Sequence, residues 1–277
     1  MPKPPNVLVF DSGLGGLTVL AQVMRQRPDA RCLYVADDAG FPYGRLSEPE
    51  LIGRVGTVMA RLIADFAPDA VVIACNTAST LVLPHLRAAY PPIPFIGTVP
   101  AIKPAAAQSS SKLISVLATP GTVARDYTHD LVRTYAAHCD VTLVGSTKLA
   151  SFAEAFMKGE PVADASLAAE IAPSFVEKDG LRTDCIVLAC THYPLLLAQF
   201  ARLAPWPVAW IDPAEAIARR LDYVLREALG LVPAAEAAAG HTALFTSGAP
   251  PSPALAAALA ERGIAKIAEN PIPMESV

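Results

Sequence analysis

Two short stretches of this chain end in the same way, Val71-Val72-Ile73-Ala74-Cys75-Asn76-Thr77 and Ile186-Val187-Leu188-Ala189-Cys190-Thr191-His192. Each is an apolar run closed by Ala-Cys and then by side chains that can bind a polar ligand. A β-branched run of this length reads as an interior strand of a parallel sheet, and ligands in such sheets bind beyond the carboxyl ends of the strands. Cys75 and Cys190 are 115 positions apart, so each half of the chain presents one thiol at a strand end. If the halves face one another, the two sulfurs approach a single small molecule from opposite sides. One thiolate can then remove a proton from a carbon while a thiol on the other face delivers one, the geometry of a two-base racemase or epimerase. Cys32 and Cys185 open apolar runs and Cys139 joins a helical pattern to Val141-Thr142-Leu143-Val144, so these three read as small apolar packing residues.

The groups that could serve these thiols lie on turns after other strands. In Phe10-Asp11-Ser12-Gly13-Leu14-Gly15-Gly16-Leu17 the glycine spacing does not match Gly-x-Gly-x-x-Gly, and no phosphate-loop lysine follows. The turn supplies a carboxylate, a hydroxyl and backbone N–H groups at a helix start, which can orient a thiol or hold an ammonium or carboxylate. Asp11 is the expected helper beside Cys75. His192, two residues beyond Cys190, is expected to help the other thiol. Asp37 to Arg45 follows a second strand, where Tyr43 can lid a polar ligand and Gly44 permits close backbone approach. Ser12, Asn76, Thr77 and Thr191 are the donors that could hold a carboxylate as charge develops on the neighbouring carbon.

Strands alternate with helical patterns along the whole chain, which predicts an α/β fold of two similar doubly wound, mostly parallel sheets with a cleft between them. The first unit is expected over 1–98 and 208–277 and carries Cys75; the second, over 99–207, carries Cys190. Helices are predicted at 17–26, from the Ser47-Glu48-Pro49-Glu50 capping box to about Phe66, at 81–89, 123–135, 148–158, 164–176 and from Asp212 to about Leu229. Thr242 to Thr246 reads as an edge strand, Ala234 to Ala239 as a surface segment, and the tail after Asn270 as loose.

Composition narrows the classes of function. Of 277 residues, 53% are hydrophobic and 17% charged, and the net charge of −4 with no Lys/Arg run offers nucleic acid no electrostatic footprint. Met1 to Pro5 is too short for a signal peptide, and no apolar stretch reaches the roughly 18 residues of a membrane span, so a soluble, cytoplasmic protein is expected. Five cysteines without scaffold spacing argue for reduced thiols.

With these segments in place, the chain resembles the cofactor-independent glutamate racemases of bacterial cell-wall synthesis. The resemblance rests on Phe10 to Leu17, Phe41-Pro42-Tyr43-Gly44, Ala74 to Thr80, Gly97 to Pro104, Ala118 to Thr122 and Ala189 to Leu195, in that order; no motif covers the chain beyond residue 230. It implies two α/β domains in pseudo-twofold relation, glutamate enclosed between them, and neither metal nor pyridoxal phosphate. By position, Cys75 and Cys190 match the catalytic cysteines, Cys75 acting on D-glutamate and Cys190 on L-glutamate. Asp11, Ser12, Tyr43, Gly44, Asn76, Thr77, Thr191 and His192 match substrate-contacting or supporting positions. Glu154 resembles the acidic residue that assists near the second cysteine, although Ser146-Thr147-Lys148 stands where many members carry Cys-Pro. Asp38-Ala39-Gly40 likewise departs from the commoner Asp-x-Ala-Arg.

Other chemistries fit less of the chain. A Cys190–His192 nucleophile pair would leave Cys75 without work. A zinc site lacks Cys-x-x-Cys or His-x-x-x-His spacing. The alternatives that stand are a racemase of aspartate or another amino acid and a non-catalytic amino-acid-binding module of the same fold. A homodimer is left open as the assembly.

Overall fold

The computed structural model describes residues 4–238, 240–268 and 271–272. Ten strands form two sheets. β1 (Asn6–Asp11), β2 (Arg31–Ala36), β3 (Ala70–Ile73) and β4 (Phe95–Ile96) belong to the first. β5 (Leu113–Ala118) and β6 (Asp140–Gly145) belong to the second; β7 (Glu177–Lys178) and β8 (Leu181–Arg182) form a separate antiparallel hairpin. β9 (Cys185–Leu188) and β10 (Ala209–Ile211) complete the second sheet, while β11 (His241–Phe245) and β12 (Ile264–Ala268) return to the first.

The strand order is β12-β11-β2-β1-β3-β4 in one sheet and β10-β9-β5-β6 in the other, with every pairing parallel. Read outward from the first strand of each, both sheets use one plan: β2-β1-β3-β4 corresponds to β6-β5-β9-β10. β3 and β9 are therefore equivalent strands, and the residues two positions beyond them are Cys75 and Cys190. The chain carries the same placement twice.

Both faces of each sheet are covered, as parallel sheets require. Val7, Val9 and Tyr34 pack under the helices Leu17–Gln26 and Ala214–Tyr223, while Leu8, Phe10 and Val35 point the other way, toward Glu48–Phe66 and Asn76–Ala89. That alternation is the two-residue period of a strand. In the second sheet Ile114, Val116 and Val187 meet the helix Ile102–Gln108, and Leu117, Ile186 and Leu188 meet Leu149–Met157.

Several elements differ from expectation. β10, assigned from sequence to the first unit, pairs with β9 in the second sheet, so the chain crosses back at residues 212–213 rather than at 208. β11 is interior, since β12, an element the patterning did not reveal, covers its far side. β12 is exposed at Ala265 and Lys266 and lacks a buried run, as edge strands often do. The 123–135 helix is two pieces, Pro120–Val123 and Asp126–Tyr135, because the Thr128 hydroxyl takes the Thr122 carbonyl at 2.6 Å and the chain turns at Arg125. The helix after Cys75 starts at Asn76 rather than Leu81, its polar first turn fixed by Ser79 donating to the Ile73 carbonyl at 2.9 Å. Ala239 and most of the tail beyond Asn270 lie outside the described residues.

Candidate active site

The carboxyl ends of β1, β2, β3, β5 and β9 converge on one cavity of about 40 Å³ between the two sheets. Ser12, Tyr43, Gly44, Cys75, Asn76 and Thr77 line it from the first sheet, and Cys190, Thr191 and His192 from the second. Asp11 and Glu154 stand behind that lining, each buried and hydrogen-bonded to a residue in it. Thr119, Phe41, Pro42 and Ala150 also line the cavity, and the residue chemistry did not single them out. For Thr119 a signal existed: it follows β5 directly, at the same sheet edge as Cys190.

Cys75 is the residue before the helix Asn76–Ala89, and its Sγ lies 3.7 Å from Ser12 Oγ. Burial pushes the Cys75 thiol up to about 12, and the Asp11 charge adds to the rise against the opposing Ala78 N–H and Ser12 hydroxyl. Asp11 is fully buried, and burial raises its own carboxyl, opposed by His192, the Gly16 N–H and Thr191. Its Oδ2 accepts from Gly16 N–H at 3.0 Å and its Oδ1 from Thr191 Oγ1 at 3.2 Å, so it ties the glycine turn to the opposite half. As an anion Asp11 disfavours a second negative charge on Cys75. The pair therefore favours one negative charge over two.

Cys190 has different company. Its Sγ is 3.8 Å from His192 Nδ1, and His192 Nε2 is 2.9 Å from Glu154 Oε1. Glu154 Oε1 also accepts the Leu14 N–H at 2.6 Å, and Oε2 faces Lys158 Nζ at 3.2 Å. Burial works to raise the Glu154 carboxyl, but the His192 hydrogen bond and charge, Leu14 and Lys158 outweigh it and hold it below the usual range. Burial likewise works to lower His192, yet its hydrogen bonds to Cys190 and Glu154 and the nearby Asp11 charge hold the imidazolium well above its ordinary pKa. Phe41 covers the imidazole with ring centroids 5.4 Å apart.

The glycines of the first turn are explained by the second half. A Cβ at Gly13 would collide with Glu154 Oε1, and one at Gly15 would lie 2.6 Å from His192 N, His192 Nδ1 and Thr191 Oγ1. At Gly44, an exposed residue of the cavity rim, a Cβ meets nothing within 4 Å. Both amide atoms of Asn76 are buried in the cavity wall with no hydrogen-bond partner among the described residues, a donor and an acceptor together. Among the described residues no cluster of His, Cys, Asp or Glu could hold a metal, and no helix is long and apolar enough to cross a membrane. The site can move protons at two sulfurs and offer polar donors to a small, charged molecule.

Residues 17–221 match the Asp/Glu/Hydantoin racemase family. Glutamate racemase of Brucella canis is 59% identical over 224 residues, covering 81% of this chain and 80% of that protein. Glutamate racemase of Brucella anthropi is 60% identical over 220 residues, 79% of each. Among solved structures, Escherichia coli glutamate racemase in complex with L-glutamate and the activator UDP-MurNAc-Ala superposes with a TM-score of 0.86 at 36% identity, over 95% of this chain and 97% of that one.

Proposed function

We infer that this chain, which belongs to the Asp/Glu/Hydantoin racemase family, interconverts L- and D-glutamate by proton transfer between two cysteines and the α-carbon. The observation that carries this reading is the pair of buried sulfurs at equivalent strand ends, both lining one cavity together with the unpartnered Asn76 amide. Glutamate as substrate rests on the relatives, whose names specify it.

Cys75 removes the α-proton of D-glutamate while Cys190 protonates the opposite face, and the reverse reaction exchanges the roles. Cys75 starts as a protonated thiol, so it becomes a base by passing its proton to Asp11, a transfer that the positive ammonium of the substrate favours by stabilising the thiolate. Cys190 exchanges its proton with His192, whose imidazolium Glu154 steadies. Ser12, Asn76, Thr77 and Thr191 bind the carboxylate that takes up charge as the α-carbon is deprotonated. Tyr43 and Gly44 close the end contributed by the first sheet. The two sheets act as two units, and D-glutamate made between them in the cytoplasm would feed peptidoglycan synthesis.

A circular-dichroism time course on the purified protein with each glutamate enantiomer tests the reading. Optical activity should decay from both sides to zero. Stable signals from both would overturn it, and decay with aspartate but not glutamate would reassign the substrate.

A further inference from the structure

The part of the chain that follows the family match reaches into the site through one buried carboxylate. Asp37, at the end of β2, is fully buried and has both oxygens engaged. Oδ2 accepts the Tyr43 hydroxyl at 2.6 Å, Oδ1 accepts the Thr246 hydroxyl at 2.7 Å, and Arg54 Nε lies 3.1–3.2 Å from both. Thr246, itself fully buried at the end of β11, uses the same oxygen to accept the Ala39 N–H at 3.2 Å, while Arg54 Nη2 donates to the Ile272 carbonyl at 2.6 Å. Of this group, only Tyr43 lines the cavity.

We propose that Thr246 is a positioning residue for the substrate pocket: it orients Asp37, and Asp37 holds Tyr43 and the adjoining Gly44 in the cavity wall. This rests on the glutamate racemase reading. The argument is one of valence. Arg54 Nε spans both oxygens and its Nη2 donates to Oδ1 at 2.5 Å. With Thr246 as a further donor the lone pairs of Oδ1 are filled, which leaves Oδ2 for the tyrosine, and the Ala39 N–H turns the threonine proton toward Asp37. Tyr43 cannot be held by its own ionisation, since burial and the Asp37 charge keep it a neutral donor. Removing the threonine hydroxyl leaves Asp37 still paired with Arg54, so the fold should survive while Tyr43 loosens.

The test is a double-mutant cycle of T246V and Y43F, read as kcat and KM for both enantiomers and as glutamate affinity by calorimetry. T246V should raise KM for both enantiomers about fivefold, the scale of one lost hydrogen bond, with kcat nearly unchanged, and T246S should restore it. In the Y43F background T246V should add almost nothing. S247A, which removes a neighbouring hydroxyl bonded to half-buried Asp38 and to its own loop, should match wild type. A full T246V effect that persists in Y43F, a KM unchanged in T246V, or an equal effect of S247A would each overturn the proposal. Because affinity is read separately, a wild-type protein that binds glutamate without racemising it would strike the racemase reading alone.

Discussion

The two halves of the site share a strand plan and differ in what stands beside the sulfur. Cys75 and Cys190 follow equivalent strands, yet Cys75 faces a hydroxyl and a buried carboxylate, whereas Cys190 faces an imidazole backed by Glu154. A repeated fold thus places two like groups, and the turns after each strand decide how each handles its proton. The substrate faces are mirror-related at one carbon, but the protein is not. From the free enantiomers both directions cross the same barrier, because the equilibrium constant is one, so the asymmetry of the site shows in how kcat and KM divide for each enantiomer.

Removing either sulfur should break the comparison altogether. Cys75→Ala and Cys190→Ala should each lower racemisation about a thousandfold or more while glutamate still binds, because one face is left with no proton carrier. Either variant turning over both enantiomers at a near-normal rate would sink the two-thiol scheme; polarimetry and calorimetry on the same samples decide it.

The helpers should sharpen the difference. Asp11→Asn should depress kcat from D-glutamate, the direction that starts at Cys75, roughly tenfold to a hundredfold more than from L-glutamate, and His192→Asn should show the opposite bias. The equilibrium between free enantiomers stays fixed, so KM must move with kcat to keep the ratio. Equal effects on both directions in each variant would remove the assigned pairing.

Two glycines test whether the halves are packed against each other or merely adjacent. Gly15→Ala forces a methyl against His192 and Thr191 and should cost about 1–3 kcal/mol of stability, with a lower melting temperature and lower activity. Gly44→Ala meets no protein atom, so its melting temperature should hold while KM rises. A Gly15→Ala protein with wild-type stability and rate would show that the close approach is dispensable.

The smallest effect lies in the pH dependence of stability. His192 has a folded pKa raised above its unfolded value, so its contribution is complete below about pH 6.5 and fades as pH rises through the higher folded value. Glu154, held below its usual range, works the other way: its contribution is present above about pH 4.5 and is lost in acid. The melting-temperature gap between wild type and His192→Asn should therefore be widest in mildly acidic solution and narrow toward alkaline pH. A gap that widens with rising pH would contradict the assigned imidazolium.

Much of the α/β order and the part of the cavity lining next to the strand ends was legible because it is local, whereas Thr119, Phe41, Pro42 and Ala150 were not singled out. A run of buried β-branched residues ending in Ala-Cys announces a strand end, and Asp11, Ser12, Asn76 and Thr191 follow directly in the chain. Less legible were contacts that form only on folding. Nothing near Leu14 says that its N–H meets a carboxylate 140 residues away, or that His192 and Glu154 are what keep Gly13 and Gly15 bare. β12 has no alternating pattern because it covers an edge, and β10 was assigned from sequence to the other sheet because pairing partners leave no mark on a three-residue strand. Thr246 gave no signal at all, since its role lies in which oxygen of Asp37 it occupies.

The hydrogen bonds that join the two halves have a consequence for the timing of catalysis. The Leu14 N–H reaches Glu154 and the Thr191 hydroxyl reaches Asp11, each crossing from one half to the other. Against burial, which works to raise both carboxyls, each bond lowers the pKa of the carboxylate it touches, beside the larger effect of His192 on each. Any parting of the halves would loosen both carboxylates at once, so the acid-base groups on the two faces would be armed together, by the same closure.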